Sequence, residues 1–271
     1  MSVEPESRYG VLFQDEADSV VAEHVESVRR LGYTVVDAGL DEAQRQAVAD
    51  AFDETHAAYV ARWGEQALRE AGEFHTIRAP LTLARSAFLP LATNRPLMEV
   101  LQQLIVGTFI LNQQNGIINP PNEVYSQRHW HRDLPYQHFV SSTPLALNAL
   151  YCVDDFTLEN GSTSVLPASH QSANFPSDSY VHRHQHQVEA KAGQYILLDC
   201  MVFHKGGFNT TQRARRAVNH VYTIPYVKQQ VRFADNVDTA DLSDDECALL
   251  GLTTLEPLSV EAYLRGRGIG T

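Results

Sequence analysis

Seven of the twelve histidines in this 271-residue chain fall between His129 and His186, and an eighth follows at His204. Imidazole is the commonest protein metal ligand and carries protons near neutral pH, so chemistry is sought here first. Within the stretch, Gln127-Arg128-His129-Trp130-His131-Arg132-Asp133 holds the spacing His131-x-Asp133. Alternate residues of an extended strand face the same way, so an imidazole and a carboxylate at that spacing can bind one metal ion side by side. With a second, distant histidine they make the two-His-one-carboxylate set that leaves positions open on Fe(II). The spacing alone is weak, because twelve histidines and 33 acidic residues in 271 positions make one or two such matches expected by chance. His24-Val25-Glu26 is one, and it sits in a predicted helix where residues two apart face away from each other. His131 and Asp133 differ in their company. His204 lies 73 residues further on, after the apolar run Tyr195–Asp199 and before a glycine turn, and Arg215 and Arg216 follow. A guanidinium there can clamp a carboxylate through two parallel hydrogen bonds. A metal with vacant positions beside a fixed cation suits a small dicarboxylate, chelating at one end and anchored at the other.

The elements that must hold these residues change character along the chain. The first hundred or so residues read as helical. EADSVVAEHVESVRRLGY predicts a short amphipathic helix ending at Gly32, followed by a strand over Tyr33–Val36. From Asp41, DEAQRQAVADAFDETHAAYVAR predicts a longer helix with apolar positions at Ala43, Val48, Ala51, Phe52 and Tyr59. A third helix is expected over Pro96–Val106, capped by Thr93 or Asn94 and stopped by Gly107. After that the chain turns β-rich, with runs at Thr108–Asn112, Leu145–Val153, Ser162–Leu166, Gln187–Glu189, Tyr195–Leu198 and Ala217–Thr223. Short strands so spaced predict a β-sandwich or jelly roll. The tail returns to helix, with Ser243-Asp244-Asp245-Glu246 as a capping box and Ser259 as a further cap. No repeat or linker divides the chain. The expectation is one domain over 1–271: a helical third (about 1–107) packed on a β core (about 108–226), then a short helical tail.

Composition narrows the function. Lys plus Arg is 21 against 33 acidic residues, a net charge of −12, which argues against nucleic acid or an anionic membrane as partner. Three scattered cysteines without a CxxC point to neither a disulfide framework nor a thiolate zinc site. MSVEPESRYG has no apolar core or basic leader and no apolar run approaches 18 residues, so a cytoplasmic protein is expected. Only three of the basic residues are lysines, a bias of GC-rich genomes rather than of chemistry.

HWHRDLPY, ENGSTSVLPASH and FHKGGFNTTQRARR, in that order, resemble the signature blocks of the phytanoyl-CoA dioxygenase family of Fe(II)- and 2-oxoglutarate-dependent oxygenases. The resemblance runs from about Leu111 to Tyr222. It implies a mainly β fold with flanking helices, a double-stranded β-helix of the jelly-roll, cupin-like kind. The iron ligands then fall on His131, Asp133 and His204, and the arginine for the distal carboxylate of 2-oxoglutarate falls on Arg215, six residues after Asn209, with Arg216 as fallback. By the same analogy Gln113 faces substrate, Asn115 faces 2-oxoglutarate or substrate, and Arg78 is the match for a basic residue touching the cosubstrate. Asn148 and Tyr151 lie on the strand behind the metal as candidate pocket residues, Asn148 for substrate. The cofactors implied are Fe(II), 2-oxoglutarate and O2, and the partner is a small molecule. One departure is Pro167-Ala168-Ser169-His170, where the family has Pro-Gly-Ser-His. The acidic ligand is present, whereas related halogenases carry a small residue there, so hydroxylation-type chemistry is expected over chlorination.

Other readings compete. A cupin-like Zn or Mn hydrolase or isomerase could use the same three ligands, and a silent binding protein could keep the same barrel. His182-Arg183-His184-Gln185-His186 would place three imidazoles on one face if extended, and reads more simply as an exposed hairpin or loop. Ser162, Thr163 and Ser164 lack a nucleophile elbow, and no phosphate-binding glycine loop is present. The arginine-rich usage leans toward a bacterial natural-product intermediate as substrate.

Overall fold

The computed structural model describes residues 11, 13–123, 126–134 and 139–270. The MSVEPESRYG start and Pro135-Tyr136 of the first signature block lie outside the described residues. Ser19 accepts a hydrogen bond from the Ala22 amide and opens α1 (Val20–Leu31), which Gly32 ends in the left-handed region. Next come β1 (Tyr33–Asp37), α2 (Glu42–Trp63), α3 (Glu65–Glu70) and β2 (Thr76–Arg78). Then follow α4 (Arg85–Ala92), α5 (Arg95–Leu104), β3 (Ile110–Asn119), β4 (Ala146–Cys152) and β5 (Thr163–Val165). The chain continues through α6 (Asp178–His184), β6 (His186–Val188), β7 (Gln194–Asp199), β8 (His204–Gly206) and β9 (Arg215–Thr223). It closes with α7 (Asp244–Leu249) and α8 (Val260–Gly266).

All strand pairs among the described residues are antiparallel. They form a six-stranded sheet in the order β1-β7-β4-β9-β3-β2 and a three-stranded sheet in the order β6-β5-β8. The two sheets face each other across a small apolar layer in which Val165 and Val188 meet Cys152, Ile196, Leu198 and Ala217. The large sheet turns its other face to the helices. Leu147, Ala149, Tyr151, Leu197, Val218 and Tyr222 pack there against α1, α2, α4 and α5. The fit to α5 follows from its sequence, since Leu97, Val100, Leu101 and Leu104 recur at the spacing of one helix face and all are buried. In α2 the buried stripe is Val48, Ala49, Phe52 and Thr55, shifted from the expected set.

The expected elements are present, joined by α3, α4, α6 and β2, which the sequence pattern did not mark, and three differences bear on the site. The helical third does more than pack on the β core: it donates β1 and β2, which occupy the two edges of the large sheet. The histidine-rich stretch is exposed as expected, but it is a short helix running into a strand rather than a hairpin or loop. His182 and His184 lie in α6, where the His184 ring meets that of Tyr180 one turn earlier at a tilt, and His186 begins β6 against Tyr33. The His131-x-Asp133 segment is not a regular strand either. His131 forms an isolated antiparallel bridge with His204, and the chain bends directly after it. No helix among the described residues is long and apolar enough to cross a membrane.

Candidate metal centre

His131 and His204 exchange both backbone hydrogen bonds, His131 N to His204 O at 3.0 Å and His204 N to His131 O at 3.1 Å. Residues paired this way carry their side chains on the same face, and the two imidazole centroids stand 4.4 Å apart. The Asp133 amide donates to Cys200 O at 3.0 Å, and this bond fixes the bend that turns the carboxylate back toward the rings. Asp133 Oδ1 lies 3.5 Å from His204 Nε2 and 3.9 Å from His131 Nε2. One ligand atom from each residue falls within 4.8 Å of the others, the one such His/Cys/Asp/Glu group among the described residues.

Each imidazole is set to offer Nε2. His131 Nδ1 is 2.7 Å from His129 O and His204 Nδ1 is 3.0 Å from Val202 O. A carbonyl only accepts, so both Nδ1 atoms carry the proton and both Nε2 lone pairs point into the site. Asn148 Nδ2 donates to Asp133 Oδ2 at 2.8 Å, which occupies that oxygen and leaves Oδ1 for the centre. The electrostatics agree. Burial alone would raise the carboxyl of Asp133, but His204, His131 and the Asn148 amide hold it down to about 2. Burial also opposes charge on His204, and the Asp133 carboxylate reverses this and raises it. For His131 burial and the neighbouring His204 win, and its pKa falls. The His131 side chain is 27% exposed against 8% for His204 and 10% for Asp133, so the site opens on the His131 side.

The ligands line a cleft of about 50 Å³ whose walls include Leu150, Leu198, Ile117, Asn219 and Arg215. Arg215 is 3% exposed and its guanidinium carbon sits 3.8 Å from the Phe156 ring centroid, on the inner face of β9. Arg216 points the other way, bound to Asp154 and Asp53, so the fallback arginine faces away from the ligands. Asn209 shapes the approach to β9. Its amide donates to Asn119 O and Arg213 O while its carbonyl accepts from the Thr211 amide and hydroxyl.

Strand register places the remaining candidates. Arg78, Asn115, Asn219 and Leu150 form one row across the inner face, and Gln113, Val221, Asn148 and Leu198 form the next. Asn115, Gln113 and Arg78 thus share the cleft's side of the sheet without lining the cleft itself, and Arg78 is held bidentately by Glu73. Asn148 lines the cleft, but its amide is spent on Asp133. Tyr151, three residues on, takes the opposite face and packs under the helices against Tyr195. Two contributors were missed by sequence reasoning. Asn219 stands four residues after Arg215 on one strand, a period that puts both on one face. Arg132, between the two ligands, points backward and donates to the carbonyls of Met201, Ala173, Ser169 and Ser172, and no motif announced it.

The family model for phytanoyl-CoA dioxygenase (PhyH) matches residues 28–217. The uncharacterized protein Rv1501 of Mycobacterium tuberculosis is 30% identical over 208 residues, 75% of each chain. EctD from S. alaskensis, solved with 2-oxoglutarate and 5-hydroxyectoine, aligns with TM-score 0.64 at 21% identity over 78% of this chain and 79% of its own. The non-heme alpha-ketoglutarate-dependent epimerase SnoN from nogalamycin biosynthesis aligns with TM-score 0.59 at 18% identity over 83% and 90%. These two structures establish the shared fold, a mainly β jelly roll of the cupin type with flanking helices.

Proposed function

This chain belongs to the phytanoyl-CoA dioxygenase family, and from that premise we propose that it is an Fe(II)- and 2-oxoglutarate-dependent oxygenase of a small molecule. The reaction proposed is hydroxylation, or another oxidation, of a substrate C–H bond, with 2-oxoglutarate decarboxylated to succinate and CO2. The observation that carries this is the convergence of His131 Nε2, His204 Nε2 and Asp133 Oδ1 in a cleft that Arg215 also lines. Two imidazole nitrogens and one carboxylate oxygen are the donor set that suits a divalent ion with open positions. EctD was solved with 5-hydroxyectoine and SnoN comes from nogalamycin biosynthesis; for this chain we favour a natural-product intermediate.

Bound there, Fe(II) with 2-oxoglutarate would supply the oxidising chemistry with O2. The chain's own residues supply geometry. Carbonyls behind both imidazoles hold their Nδ1 protons and keep the ligand nitrogens aimed inward. Asn148 fixes the ligand carboxylate, and Arg215, steadied on Phe156, is the group for the far carboxylate of the cosubstrate. Leu150, Leu198 and Ile117 wall the cleft and keep water from the charges.

Anaerobic titration of the apoprotein with Fe(II) and 2-oxoglutarate tests the reading. It predicts a visible charge-transfer band that needs both components, and succinate release in a screen of small-molecule classes. His131→Ala or Asp133→Ala removes both signals. Arg215→Ala keeps iron but raises the 2-oxoglutarate requirement roughly 10–100-fold, the worth of a charge-assisted pair. A hydrolase shows no band, and a silent binder shows the band without succinate; either result overturns the proposal.

A further inference from the structure

On the reverse side of the three-stranded sheet lies a groove of about 580 Å³, lined in part by Arg128, Lys205, Ser164, Gln187 and Phe208. Strand alternation creates it. His131 and His204 turn inward as a bridged pair, so their neighbours Trp130 and Lys205 turn outward together, and the register continues that row through Ser164 and Gln187. Each cation rests on a ring: Lys205 Nζ lies 4.8 Å from the Trp130 centroid, and Arg128 Cζ lies 4.5 Å from that of Phe208. Rings hold cations in place without neutralising them. Among the described residues neither Arg128 nor Lys205 pairs with a carboxylate and no acidic side chain lines the groove. In a chain of net charge −12 with only three lysines, two unneutralised cations fixed in one groove are a site built for negative charge. The groove adjoins the metal cleft. Gly206 lines both, and consecutive residues divide between them, Gln127 on the metal side and Arg128 on the outer side. The two cavities thus meet at a residue with no side chain.

We infer that Arg128 and Lys205 bind an oxyanion, a phosphate ester or carboxylate, carried by the substrate at the end remote from the carbon that reacts. This rests on the oxygenase reading, because it assigns the opposite end of the same molecule to the metal cleft. The guanidinium edge and the ammonium supply donors that match oxyanion geometry, with Ser164 and Gln187 alongside.

Trp130 is one of two tryptophans, and Trp63 is an exposed residue of α2, so Trp63→Phe leaves a single reporter under Lys205. With Fe(II) and 2-oxoglutarate bound anaerobically, inorganic phosphate and malonate are titrated separately at constant ionic strength. The expected result is a saturable change in Trp130 emission, weakened at least 10-fold by Arg128→Gln and by Lys205→Gln, with the charge-transfer band unchanged. A response to phosphate alone marks a phosphate ester, and a response to malonate alone marks a carboxylate. In turnover, Arg128→Gln should raise KM for an anionic substrate and leave KM for its neutral congener unchanged. If Lys205→Gln disturbs the band through its neighbour His204, Arg128→Gln alone decides. No saturable response, or one that Arg128→Gln leaves intact, overturns the inference while the band stands. Absence of the band in the unaltered chain is instead a failure of the oxygenase reading.

Discussion

Asn148 shows how a residue's role can change between strand pattern and structure. Its place on an inner face suggested contact with substrate, yet its amide is given to Asp133 Oδ2, and its own carbonyl oxygen is buried with no partner among the described residues. Asn148→Ala should therefore weaken metal binding roughly 10–100-fold, the usual cost of losing the group that orients a ligand, as read by Fe(II) or Co(II) titration. Asn148→Asp should do worse by placing a second carboxylate beside the first. Ala168 is a residue of a different kind. It stands where the family pattern has glycine, and its backbone is left-handed, φ 62° and ψ 5°. That conformation costs a residue with a Cβ about 1–2 kcal/mol, while glycine gives back roughly half a kcal/mol or more through the freer unfolded chain. Ala168→Gly should thus stabilise the protein by up to about 1 kcal/mol, seen as a higher urea midpoint at unchanged slope. An unchanged or lower midpoint would contradict the strain.

Helix α4 carries Pro90 in its interior, and its carbonyls find partners far away in the chain. Gln114 donates to Phe88 O, Tyr195 to Leu91 O and Tyr222 to Ala92 O, so β3, β7 and β9 each hold one carbonyl of the same short helix. Tyr195→Phe or Tyr222→Phe leaves a buried carbonyl unmet and should cost about 1–3 kcal/mol, with the double variant close to additive if the two bonds act independently; chemical denaturation of the three proteins measures this. The same helix explains what could be read in advance. Elements with a local signal were legible: α5 from its cap and its stop, β9 from its β-rich run, and the candidate site from the spacing and order of His131, Asp133 and His204. Elements whose reason lies in tertiary contacts were not. Pro90 argues against a helix locally, and nothing in Thr76–Arg78 marks a strand until β3 is beside it. The bend after His131 was hidden because Arg132, which anchors it, looks like any surface arginine in sequence and is 5% exposed in the fold.

Across the whole molecule, ionisable groups buried between sheet and helices tie stability to pH. His220 is fully buried beneath the helices beside Tyr195 and Tyr222, with Nδ1 donating to Ala149 O, and burial pushes its pKa down to about 4. An unfolded chain would protonate it near 6.5, so between pH 6.5 and 4 the unfolded state takes up a proton that the folded state refuses. The contribution of His220 is complete above about pH 6.5 and is lost as pH falls toward 4, by up to roughly 3 kcal/mol. Urea midpoints between pH 7 and 4.5 should fall, and His220→Gln should flatten that slope; an equal slope in both proteins would assign it elsewhere. The sheet order carries a last consequence. Because β1 and β2 cover β7 and β3, a fragment starting near Thr108 would expose two bare rows of amides and carbonyls. Such a piece invites intermolecular strand addition, so dissection of the barrel from its leading third should yield aggregate, and soluble material should return only when the missing segment is co-expressed.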